Sequence, residues 1–85
     1  MMSSRPKRPK ISEVKMYDIL YSSNNGEDYV ILAESNSKYE LISLFTSLMK
    51  GKKYTGRSLD ILVFDFHSGK QISIDSNIYI LRETI

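Results

Sequence analysis

The side chains able to do chemistry in this sequence are few and scattered. His67 is the only histidine, and the chain has no cysteine. As a general base His67 needs an orienting partner, and Asp65 at i−2 shares its face if the segment is a strand. The competing reading is a solvated histidine opening a turn at Ser68-Gly69, and it is the simpler one. A lone imidazole without thiolates offers no transition-metal site, and neither a disulfide nor a thiolate zinc site is available. Asp60, Asp65 and Asp75 have the oxygen chemistry of Mg²⁺ or Ca²⁺ ligands, but their spacing follows no cation-binding loop. No serine sits in a G-x-S-x-G elbow, and Gly51-Lys52 and Gly69-Lys70 lack the upstream glycine of a phosphate loop. The expectation is a non-enzymatic chain with no catalytic residue, metal, cofactor or small-molecule substrate.

Two constellations remain, and both suit binding better than reaction. The first is basic: Arg5, Lys7, Arg8 and Lys10 near the start, then Lys50, Lys52, Lys53, Tyr54 and Arg57 around Gly51 and Gly56. Cations on a glycine-bearing loop with one aromatic can hold phosphates and stack a base. The plainer reading is a helix end matched to its dipole, plus a solubilising tail. The second constellation is apolar: Leu62, Phe64 and Phe66, spaced so that a strand would place all three on one face.

The elements that must position these residues follow from pattern. Residues 1–12 hold both prolines and four cations with little to bury, and they read as a disordered basic arm. Residues 13–85 read as one domain; a chain of this length buries roughly 60–65% of its unfolded surface. Met16-Tyr17-Asp18-Ile19-Leu20-Tyr21 and Tyr29-Val30-Ile31-Leu32-Ala33 read as strands joined at Asn25-Gly26, a pair that tolerates positive φ. Ser37-Lys38-Tyr39-Glu40 matches a capping box. It opens a helix over about 37–50, with Leu41, Ile42, Leu44, Phe45, Leu48 and Met49 within a ~160° arc. Gly51 is the expected stop. Leu59–Phe66, Gln71–Asp75 and Ile78–Arg82 read as three further strands.

The expected fold is thus α+β in the order β-β-α-β-β-β, a mainly antiparallel sheet with one amphipathic helix on one face. That element order, across residues 14–85, resembles ubiquitin-like β-grasp folds. The resemblance implies topology only.

Pairing the last strands through Ser68-Gly69 sets Val63 opposite Ile74 and Asp65 opposite Ile72. Leu59, Ile61, Val63, Ile72 and Ile74 then face the helix, and Leu62, Phe64 and Phe66 are left on the reverse. The first hairpin is also apolar on both sides, and one helix covers only one of them. An antiparallel sheet with a wet face alternates more cleanly, so the second face is expected to meet a partner.

The formal charge of +2 conceals an asymmetry: the arm's four cations leave −2 on residues 11–85. No apolar run reaches the ~20 residues of a membrane span and no secretory signal is legible, so cytoplasmic residence without a membrane partner is the default. A single alanine amid many isoleucines, lysines and asparagines suggests AT-rich coding, as in many phages and low-GC bacteria, which bears on origin and not on mechanism. The leading expectation is a protein-binding module, possible as a homodimer or a phage-type inhibitor that occludes a partner through a sheet face or edge. The alternative is a nucleic-acid-binding domain using the arm, the basic loop and a Phe64–Phe66 platform.

Overall fold

The computed structural model describes residues 15–84. The arm, and every expectation placed on Arg5, Lys7, Arg8 and Lys10, lies outside the described residues. Strands β1 (Tyr17–Ser22) and β2 (Val30–Ser35) are followed by helices α1 (Lys38–Gly51) and α2 (Gly56–His67), then by β3 (Ile72–Ile74) and β4 (Asn77–Glu83). The strands form one open antiparallel sheet in the order β2-β1-β4-β3. Both helices pack on the same face, α1 over β2 and β1, α2 over β4 and β3. None is long and apolar enough to cross a membrane.

The first hairpin forms as its residues dictate, with a longer connection than Asn-Gly alone requires. Pairing begins at Tyr21 opposite Val30. Asn25 and Gly26 do take positive φ, 61° and 91°. The loop then folds back, and the Asn25 amide donates to the Ser76 carbonyl at 2.8 Å. Ser22 Oγ, fully buried, accepts from the Gly26 amide at 2.8 Å and so holds the bend.

Helix α1 is the one the capping box foresees. Ser37 is its N-cap, and its hydroxyl accepts from the Glu40 amide. Leu41, Phe45 and Met49, at i, i+4 and i+8, are buried against the sheet. The stop falls later than Gly51. Lys53 takes φ 76°, its amide donates to the Lys50 carbonyl, and the Tyr54 amide donates to that of Met49. This paired closure normally seats a glycine at the left-handed position.

The segment expected as a third strand is instead helix α2, so the order is β-β-α-α-β-β and the one-helix packing does not hold. Leu59, Leu62, Val63 and Phe66 stand at i, i+3, i+4 and i+7, one helical face, and all pack on the core. His67-Ser68-Gly69-Lys70 is not a hairpin turn but the helix's end. Gly69 takes φ 87°, its amide donates to the Phe66 carbonyl and the Lys70 amide donates to that of Asp65. The hairpin near the C-terminus joins β3 to β4 through Asp75-Ser76, with Ile72 opposite Tyr79.

The core centres on an aromatic stack. Phe45 of α1 and Phe66 of α2 lie nearly parallel with centroids 3.9 Å apart, and Tyr79 meets Phe45 edge-on at 5.7 Å. Burial first, then the charge of neighbouring Tyr21, holds the Tyr79 phenol above its ordinary pKa. Ile19, Leu81 and Ile72 complete the sheet side.

Candidate interaction surfaces

Helix α2 separates the three residues that strand reading grouped together. At ~100° per residue, positions 64 and 66 point ~200° apart. Phe66 is fully buried and cannot touch a partner. Leu62 is half-buried and packs on the core. Phe64 alone stands out, 70% exposed, with Ile61 beside it at 53%. Arg57, Ile61 and Phe64 follow i, i+4, i+7 and form a stripe within ~60° on the side of α2 opposite the core. The expectation that Ile61 faces the core is thereby overturned.

Phe64 rises between two open hollows. One, of about 490 Å³, is lined by Gly56, Arg57, Asp60, Ile61 and Phe64. The other, of about 510 Å³, lies between the helices and is lined by Thr46 of α1 with Leu59, Asp60, Val63, Phe64 and His67. An aromatic ring flanked by hollows is a shape another surface can interlock with.

The edge strand β2 is the second apolar surface. Tyr29, Val30, Ile31 and Leu32 are all exposed, and among the described residues β2 pairs only with β1. Register sets Val30 on the core side with Tyr21, and Ile31 on the reverse with Leu20. A bulge beside Leu32 interrupts the ladder between Ile19 and Leu20. Such a bulge bends and twists an edge away from regular pairing with another strand.

The sheet face away from the helices is less open than expected. The β1–β2 loop lies across its end, and Ile78 is buried there near Gly26. At the other end Asp18, 2% exposed, takes two hydrogen bonds from Arg82, at 2.9 and 2.7 Å. The bond to Asp18 pushes the Arg82 guanidinium further above its ordinary pKa. Leu20 and Ile80 between them are half-buried.

The basic loop survives in altered form. Lys50, Lys52, Lys53 and Arg57 are exposed where α1 gives way to α2. Tyr54 is not a free stacking ring, because it packs against the core. The Phe64–Phe66 platform of the nucleic-acid reading does not exist, since Phe66 is its partner's opposite.

The residues first considered for catalysis do not converge. Asp65 and His67 diverge around α2; Asp65 meets Lys70 at 3.7 Å and His67 is exposed. Among the described residues no three of His, Cys, Asp and Glu gather as metal ligands. Compared with protein-family models, curated proteins and solved structures, the chain matches none.

Proposed function

We propose that this protein is a non-enzymatic binding module that docks a partner protein on the outer stripe of α2, with Phe64 as anchor and Ile61 beside it. One observation carries the reading: α2 holds two exposed apolar residues, Ile61 and Phe64, side by side on the face the sheet cannot cover, whereas the exposed Tyr39 and Leu44 of α1 stand apart. A surface helix ordinarily turns polar residues outward, and neighbouring apolar residues on that side are the exception. Aromatic residues that become buried at the centre of an interface tend to dominate binding energy. Occlusion of a partner's surface, as by a small phage-type inhibitor, is a use this shape suits. The bulged β2 edge is the weaker surface for the reason given above.

Site-specific crosslinking tests the assignment. A benzophenone side chain at position 64, in the full chain expressed in the organism that encodes it, should give discrete protein adducts on irradiation. The same group at Ile31 should give few. Adducts of twice the chain's mass would identify the partner as a second copy. Adducts from position 31 alone would move the site to the sheet edge.

A further inference from the structure

The corner between α1 and α2 carries a second surface, unlike the α2 stripe in chemistry. From Leu41 to Leu59 the sequence contains no acidic residue, and Lys50, Lys52, Lys53 and Arg57 fall within that stretch. All four are exposed, and among the described residues none pairs with a carboxylate; the ion pairs there are Lys15–Glu83, Lys70–Asp65 and Arg82–Asp18. The remaining corner residues are small or polar: Gly51, Thr55, Gly56 and Ser58. Tyr54 turns inward.

A backbone feature strengthens the point. Lys53 occupies the left-handed position that ends α1, φ 76°, where glycine is the unstrained residue. Lysine there retains a charge at the corner at the expense of backbone comfort. Strain of this kind concentrates at functional positions.

From these observations we infer that the α1–α2 corner binds the phosphate backbone of nucleic acid without reading sequence. Lysine, arginine, hydroxyl side chains and glycine amides are the groups that contact phosphates, and such contacts position a duplex without specifying bases. A protein interface would need an apolar centre, and a membrane surface an apolar residue to insert. Residues 50–58 expose neither; the exposed apolar residues Ile61 and Phe64, with Asp60, begin one turn beyond Arg57. The inference shares Arg57 with the docking stripe, but Lys50, Lys52 and Lys53 lie outside it and neither Ile61 nor Phe64 takes part.

Fluorescence anisotropy of the full chain with a labelled 20-base-pair duplex, over a salt series, tests it. Four phosphate contacts give a slope of log affinity against log salt of about −3 to −4, to which the N-terminal arm adds its own share. Each of Lys53→Gly and Arg57→Gln should lower the slope's magnitude by about one. The Lys53→Gly variant carries the sharper test: it relieves the backbone, so it should melt at or above the wild-type temperature while binding several-fold more weakly. Both effects should persist when Arg5, Lys7, Arg8 and Lys10 are replaced by glutamine. Absence of binding at ~20 mM salt, or corner variants that bind as the wild type does, would overturn the inference. Binding of poly-glutamate as tightly as the duplex would overturn it in favour of an acidic protein.

Discussion

Helices α1 and α2 have similar lengths and share one sheet face, yet they spend their apolar residues differently. In α1, Leu41, Phe45 and Met49 go to the core and Ser43, Ser47 and Lys50 go outward; Tyr39 and Leu44 are exposed too, but they point ~140° apart and form no stripe. In α2, Leu59 and Phe66 go to the core, while Ile61 and Phe64 go outward among Arg57 and Asp60. Their ends differ too. Ser37 caps α1 through its hydroxyl, whereas Thr55 caps α2 with no side-chain bond. Where α2 closes on a glycine, α1 closes on a lysine in the same left-handed conformation. The helix whose exposed apolar residues stand apart, α1, offers no continuous outer surface. In α2 the exposed apolar residues, Ile61 and Phe64, are neighbours on one stripe, and that is what a partner can use.

The largest expected effect separates the two phenylalanines of α2. Phe66→Ala removes half of the stack with Phe45 and should cost about 3–5 kcal/mol, enough to unfold a domain this small. Phe64→Ser should stay within about 0.5 kcal/mol of the wild type. Guanidinium melts of both read the difference directly, and similar losses would mean that the outer stripe is packed after all.

The helix ends give the next effects, of intermediate size. Gly69→Ala forces a side chain into positive φ at the end of α2 and should cost about 1 kcal/mol. Ser37→Ala should also cost about 1 kcal/mol by uncapping α1. Thr55→Ala is the smallest, a few tenths of a kcal/mol, because no cap bond is lost. Were Thr55→Ala to cost as much as Ser37→Ala in urea melts, the contrast between the two N-termini would fail.

The same contrast explains what could be read in the sequence. Ser37 and Glu40 flank the start of α1, and its apolar residues keep one period, so its existence was legible and its buried face too, except that Leu44, at the edge of the apolar arc, is exposed. In α2 the stripe at Leu59, Leu62, Val63 and Phe66 was present, but Ile61 and Phe64 filled the gaps between its members. Leu59–Phe66 then reads as a continuous apolar run, and short runs of that kind do not distinguish strand from buried helix. Ser68-Gly69 added to the error, since a glycine with positive φ serves a hairpin turn and a helix end equally well. The residues that hid the helix are therefore the ones exposed on it. Phe64 was singled out because the strand register set it, with Leu62 and Phe66, on the face away from the helix; that same register turned Ile61 inward, and helix α2 exposes Phe64 and Ile61 for a different reason.

The basic corner was legible as composition but not as geometry. Lysine at position 53 says nothing of its φ, and the burial of Tyr54 depends on how the two helices meet.

The central claim is that Ile61 and Phe64 are exposed for a partner and unneeded by the fold. The direct measurement is quantitative affinity capture from nuclease-treated lysate of the encoding organism, comparing wild type, the Ile61→Ser/Phe64→Ser double variant and an Ile31→Ser control. Thermal melts of the same preparations accompany it. The account predicts that the double variant melts with the wild type but loses, by tenfold or more, at least one protein that both wild type and control retain. An unchanged set of captured proteins, or a double variant recovered only unfolded, would contradict it.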